Sequence, residues 1–212
     1  MPTPDLPETS SAVPRELVQP KLLIGEGRDE VNIFGALLNH LAISDVKVED
    51  YGGKEKLPEY LDALKLRPGY AELISLGVTR DADASSANAL TSVRNHLNTR
   101  GFATPDASGN FEAGSPNVGI MIFPNGQHAG MLEDLCLEAW REDTLIPCID
   151  DYFNCVSAVK GANPGQISKA RVHAWLAAQT PPDLRLGIAA QKGLIDWTNP
   201  AFERLREFVT ML

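Results

Sequence analysis

Three observations predict an α/β fold, with a mostly parallel sheet and helices on both of its faces. Short apolar runs alternate with segments whose apolar residues recur at helical spacing. Each run ends in glycine, proline or charged and small polar residues. The hydrophobic fraction, 43% over 212 residues, is that of a chain able to fill one core. Strands and helices that alternate in this way join through right-handed crossovers, and functional loops then gather at the C-terminal ends of the strands.

Lys21 to Ile24 reads as a short apolar strand, Gly25-Glu26-Gly27 as the turn after it, and Val31, Phe34, Leu37, Leu38 and Leu41 as the buried face of a helix. A second strand, Val46 to Tyr51, runs into Gly52-Gly53. The helix that follows carries Leu57, Leu61 and Leu64 on one face, with Pro58 in its first turn. Ile74 begins the third strand, which ends in Asp81-Ala82-Asp83, and Ser85-Ser86 then cap a helix that buries Leu90, Val93 and Leu97. Residues 103–117, rich in Pro, Gly, Ser and Asn, read as a loop before a fourth strand, Val118 to Phe123, ended by Pro124-Asn125-Gly126. A helix starting near Ala129 to Met131 carries Leu132, Leu135 and Trp140.

The organisation expected is therefore an α/β domain over 21–144, with a helical extension over 145–212 packed on the same domain. That extension shows helical patterns at about 147–160, 164–178 and 200–211, the second opened by Asn163-Pro164. Residues 1–20 hold Pro2, Pro4, Pro7, Pro14 and Pro20 among small polar residues, a composition expected of a flexible arm. The arm has neither a basic start nor an apolar run, and no later segment is long enough to span a bilayer, so a cytoplasmic protein is expected. The formal net charge of -9 argues against a wide basic surface for coating nucleic acid. Cys136, Cys148 and Cys155 lack C-x-x-C spacing and read as reduced thiols.

The acidic residues fall at the strand ends. Side chains alternate along a strand, so Asp81 and Asp83 at its tip are expected to point the same way and to repel one another unless a cation or proton lies between them. Glu26 follows the first strand, and Glu133 with Asp134 opens the helix after the fourth. Oxygen ligands from several loops suit hard cations such as magnesium or manganese, and so phosphoryl transfer.

A glutamate after the first strand and an Asp-x-Asp at the end of a later one resemble the Toprim superfamily. Gly25-Glu26-Gly27-Arg28-Asp29-Glu30 looks like the E-G-x-x-E opening of the overcoming-lysogenization-defect nuclease branch, and Gly130-Met131-Leu132-Glu133-Asp134 looks like its G-x-L-E element. Over about residues 21–140 the chain is similar to small stand-alone Toprim-like proteins. The resemblance implies a Toprim/Rossmann-like fold. It also implies one or two Mg2+ or Mn2+ ions bound by Glu26, Asp81, Asp83 and Glu133, with Glu30 and Asp134 as secondary ligands or water-orienting groups. By analogy with a C-terminal lysine of that branch, Lys192 would face the developing charge. Two ions about 4 Å apart would suit in-line attack on a phosphodiester, as in a nuclease with nucleic acid as substrate. The 212 residues contain no G-x-x-x-x-G-K-[ST] loop, so the ATPase of that branch has no counterpart in them. This favours the alternative of a non-catalytic scaffold or regulator working through a protein partner.

Plainer readings stand beside these. Asp81 and Asp83 could cap the next helix, and Glu26, Glu30, Glu133 and Asp134 could be first-turn acids favoured by the helix dipole. Gly52-Gly53-Lys54 fits a tight turn better than a phosphate cradle, and His128 fits a surface residue better than a proton carrier. Arg80, on the strand face opposite Asp81, would cover a helix or bind a neighbouring acid. His40, His96 and His173 have no acidic or cysteine company and no assigned role. Tyr51, Tyr60, Tyr70 and Tyr152 are the only topoisomerase-like nucleophiles, and no second domain accompanies them.

Overall fold

The computed structural model of the chain describes residues 16–182 and 184–212. In chain order its elements are β1 (Lys21–Gly25), α1 (Arg28–His40), β2 (Val46–Asp50), α2 (Leu57–Leu64), β3 (Ser75–Asp81), α3 (Ser86–Thr99), β4 (Phe111–Glu112), β5 (Asn117–Phe123), α4 (Leu132–Ala139), α5 (Ile146–Lys160), α6 (Ile167–Ala177), α7 (Leu186–Gln191) and α8 (Glu203–Met211). The strands form one sheet in the order β2-β1-β3-β5-β4. All neighbours run parallel except the short β4, which pairs antiparallel with β5 at the edge. The α/β class and the mostly parallel sheet expected from the sequence are thus present.

Each face of the sheet has its own core, and strand alternation sorts residues between them. Leu22, Ile24, Leu76, Val78, Val118, Ile120 and Ile122 point to the face covered by α2 and α3, where they meet Leu57, Leu61, Leu64, Val93 and Leu97. Leu23, Met121 and Phe123 point to the other face, against Phe34 and Leu37 of α1 and the helices of the C-terminal third. On that second face the paired glycines Gly77 and Gly119 leave a furrow in the centre of the sheet. A Cβ at Gly77 would lie 2.8 Å from Leu23 and 3.1 Å from Leu212, and one at Gly119 would lie 2.4 Å from Phe111. The furrow lets α8 come down on the sheet, with the Phe208 ring 5.0 Å from Phe111. Burying Phe208 completely contributes about 2–3 kcal/mol by area. Residues 145–212 are therefore built into one of the two cores.

The structure differs from the sequence reading at several places. Residues 1–15 of the expected arm lie outside the described residues, but 16–20 are anchored. Leu17 is buried and its N–H donates to Pro68 O at 2.9 Å, while Pro20 O accepts from Ile74 N at 2.8 Å. β4 lies inside the segment read as loop, too short to show a period. α6 begins at Ile167, beyond Asn163-Pro164, and α7 has no counterpart in the sequence reading because six residues complete fewer than two turns.

Candidate carboxylate site at the C-terminal edge of the sheet

β1 and β3 are neighbours whose next strands lie on opposite sides, β2 beyond β1 and β5 beyond β3. At such a reversal of strand order the loops diverge and leave a crevice at the C-terminal edge. Buried hydrogen bonds fasten the strand ends there. Thr79 Oγ1 donates to Ile24 O at 3.0 Å, and Tyr51 OH donates to Thr79 O at 2.9 Å. Glu26 lies just past β1 and Asp81 is the last residue of β3. Asp81 N–H donates to Glu26 Oε1 at 3.2 Å, and Leu132 N–H, at the start of α4, donates to Asp81 Oδ1 at 2.9 Å. Three chain segments thus meet through these two carboxylates.

Glu30 joins from the first turn of α1, where its Oε2 accepts from Gly27 N at 3.1 Å. Its approach depends on Gly25, since a Cβ there would lie 2.7 Å from Glu30 Cβ. Glu133 joins from the first turn of α4. Burial and the charges of Glu26, Glu133 and Glu30 push the Asp81 carboxyl up to about 8. Burial likewise raises Glu30, with Glu26 and Glu133 adding to the effect. Burial raises Glu26 too, against the opposing Asp81 N–H and Arg80 guanidinium. Glu26, Glu30, Asp81 and Glu133 therefore share one electrostatic neighbourhood, in which burial and the charges of the three glutamates make Asp81 hard to ionise.

The other two acids of the set lie apart from this group. β3 stops at Asp81, and Asp83 has left-handed backbone (φ 51°), bridged to Gly130 by N–H···O bonds of 2.9 and 2.8 Å. Strand alternation therefore does not align Asp83 with Asp81, a correction to the sequence reading. Its half-exposed carboxylate pairs with Lys54 Nζ at 2.7 Å, and Glu26 still feels its charge. Asp134 caps α4, its Oδ2 accepting from Met131 N at 2.8 Å and its Oδ1 from Ser168 Oγ. It thus acts as a helix cap at the border of the site.

Lys192 is also misplaced by the sequence reading. It is exposed just beyond α7, next to Gln191, whose Nε2 donates to Asn32 Oδ1 of α1 at 3.0 Å, and it makes no ion pair with these carboxylates among the described residues. Three other cations stand at the carboxylates instead. Lys169 of α6 reaches Glu133 Oε1 at 3.2 Å. Burial pulls its ammonium down, but Glu133, Asp81 and Glu30 outweigh burial and raise it. Arg80 Nε lies 4.0 Å from Glu26 Oε1, while its Nη1 donates to Ser92 Oγ on α3 at 2.9 Å. Arg80 thus meets both a neighbouring acid and a helix. Lys54 completes the set through Asp83. It stands in a glycine turn, with Gly52 and Gly53 at positive φ and Gly53 N–H donating to Glu26 O at 2.8 Å. His128 is exposed and held by Asn125, 2.8 Å from its Nδ1. The sequence reading missed Lys169, and no local signal marks it, because a lysine on a helix face does not announce which acid it will meet.

Among the described residues no three His, Cys, Asp or Glu side chains are close enough to hold a metal ion as they stand. The donor chemistry nevertheless fits a hard cation. All four convergent groups are carboxylates, and the second oxygens of Glu26 and Asp81 make no hydrogen bond among the described residues. An open set of this kind suits an ion that keeps most of its waters, as magnesium does, better than one needing a closed protein cage.

No curated protein and no solved structure matches the chain. Residues 20–212, from the start of the sheet to the last helix, match the family described as protein of unknown function (DUF3226), and the chain belongs to that family.

Proposed function

We propose that this chain is a magnesium- or manganese-dependent phosphotransfer enzyme, a nuclease that hydrolyses phosphodiester bonds at the Glu26–Asp81 crevice. One observation carries the reading: Glu26, Glu30, Asp81 and Glu133 come from three separated strand ends into one crevice where the strand order reverses. Burial makes Glu26, Glu30 and Asp81 hard to ionise, and neighbouring acids add to the effect, so that a cation binding there would find three acids in want of positive charge. Glu26, Asp81 and Glu133 would hold the ion, with Glu30 behind them. The bound ion would supply Lewis-acid stabilisation of phosphoryl oxygens and a water of lowered pKa. Lys169, paired with Glu133 at 3.2 Å, would offset charge on the substrate, the role expected of Lys192 from the sequence.

A Toprim-like kinship goes with this reading, as does a cytoplasmic location. The three cysteines are free thiols, and among the described residues no helix is long and apolar enough to cross a membrane. The second reading, a non-catalytic scaffold or regulator acting through a partner, is favoured by the open spacing of the acids and the net charge of -9. Supercoiled plasmid, single-stranded DNA and RNA, each incubated with the protein and Mg2+ or Mn2+, separate the two. Metal-dependent cleavage lost in Asp81→Ala supports the nuclease. Cleavage unchanged in that variant, or none with any substrate, overturns it.

A further inference from the structure

The sheet has two edges, β2 and β4. β4 is two residues long, too short to template another strand, whereas β2 spans five residues with nothing paired to its outer side among the described residues. Tyr51 N–H donates to Gly25 O at 2.9 Å, which turns the backbone groups of Tyr51, and by alternation those of Glu49 and Lys47, toward β1. The N–H and C=O groups of Val46, Val48 and Asp50 therefore point away from the sheet. α1 and α2 stand back from this edge and leave a groove of about 660 Å³ along it, lined by Val31, Val48, Ala63 and Leu66 with Lys47 and Arg67. Leu66 is 80% exposed there.

The charges along β2 select the strand that fits. Lys47 is exposed and shares a strand face with Glu49, whose carboxylate is fixed by Arg67 at 2.6 and 2.9 Å and by Tyr60 OH at 2.6 Å. A second β2, antiparallel about a two-fold axis, must set outward backbone groups against outward ones. An axis through residue 47 sets Lys47 against Lys47, and one through residue 49 sets Glu49 against Glu49. An axis through Val48 sets Lys47 against Glu49 on both sides and Val46 against Asp50. Only this last register pairs the strand over its full length and opposes unlike charges.

We propose that a second copy of this chain adds to β2 in this register, joining two sheets into one across the Val48 axis. Val46, Val48 and Asp50 then exchange N–H···O bonds with Asp50, Val48 and Val46 of the second copy, and Lys47 of each copy lies opposite Glu49 of the other. The added strand fills the groove, and α1 and α2 of the two copies meet across the seam over Val31 and Leu66. Because the pairing is antiparallel, the two Glu26–Asp81 crevices open at opposite ends of the joined sheet's strands. The dimer stands whether or not that crevice is a metal site.

Sedimentation velocity of the purified full chain at micromolar concentrations should show a dimer, and hydrogen exchange should show the Val48 amide protected in it. Lys47→Glu, which sets like charges opposite each other at both crossings, should weaken the dimer about tenfold. Val48→Pro removes the donor on the axis and should leave a monomer, since an edge strand accepts proline where its N–H faces outward. Val159→Lys, at an apolar residue 80% exposed on α5, should leave the dimer intact. Circular dichroism checks folding, and exchange at Val48 in the wild type decides should a variant fail to fold. A wild-type monomer overturns the inference, as does a dimer of wild-type strength in folded Lys47→Glu and Val48→Pro. Loss of the dimer in Val159→Lys, with the wild-type Val48 amide exchanging freely, puts the contact on α5 and overturns it too.

Discussion

Asp81 and Asp83 are separated by one residue, yet they occupy different physical settings. Asp81 ends the central strand, is largely buried, accepts the Leu132 N–H and faces other carboxylates. Asp83 has left the strand, is half-exposed and is answered by Lys54. The first is a carboxyl without a cation of its own, held protonated up to about pH 8 by its surroundings, whereas the second is already neutralised at the rim. Glu30 and Asp134 repeat the contrast. Both reach back from the first turn of a helix to a backbone N–H before it, but Glu30 also faces Glu26 and Glu133, while Asp134 turns to Ser168. Convergence on the crevice, rather than acidity or motif position, separates the two kinds.

The largest effect that tests this contrast is on activity. Asp81→Ala should lower metal-dependent cleavage by about 100-fold or more, the scale of losing a preorganised charge at a reacting centre, while Asp83→Asn keeps most of the rate. Equal losses in initial-rate assays would erase the distinction between the two aspartates.

Stability against pH comes next. The Asp81 carboxyl rises from an ordinary 3.8 to about 8 on folding, so the folded chain holds a proton there that the unfolded chain releases. The stability due to that proton is complete below about pH 4 and is lost as pH rises through about 8. In metal-free buffer, Asp81→Asn, whose amide oxygen can still accept the Leu132 N–H, should flatten the decline. At pH 8 it should be the more stable chain by about 3 kcal/mol, allowing for water reaching the site. Urea denaturation across this range measures it, and a wild type whose stability climbs with pH would contradict the placement of Asp81.

Smaller effects sharpen the outer half. Asp134→Ala should cost about 1 kcal/mol through loss of the α4 cap, with Mn2+ affinity unchanged in calorimetry. Asp83→Asn should leave the thermal midpoint unmoved, because Asn also tolerates the left-handed backbone and the Lys54 pair is exposed to solvent.

Much of the framework was legible in the residues. Ile24, Val78 and Ile122 sit in apolar runs of strand length, and Phe34, Leu61 and Val93 recur at helical spacing, so the parallel core and three of its helices follow from periodicity. Glu26 and Asp81 were readable because each follows an apolar strand, which brings it to the sheet's C-terminal edge. β4 and α7 were not, being too short to establish a period and held in place by the Gly77–Gly119 furrow and by α1. Leu17 was hidden by its proline-rich surroundings, although Pro68 gives its N–H a partner.

The sequence by itself determined the class of fold and the edge at which the acids Glu26, Glu30, Asp81 and Glu133 collect, because strand periodicity and strand order are local and topological consequences of the residues. Only the tertiary structure decided which acids have a cation beside them and which do not. Lys169, Arg80 and Lys54 come from elements far apart in the chain, and the balance they strike depends on distances of 2.7 to 4.0 Å that no spacing along the sequence encodes. Electrostatic energy falls off with separation in space, so the site's charge became definite only when the helices had packed.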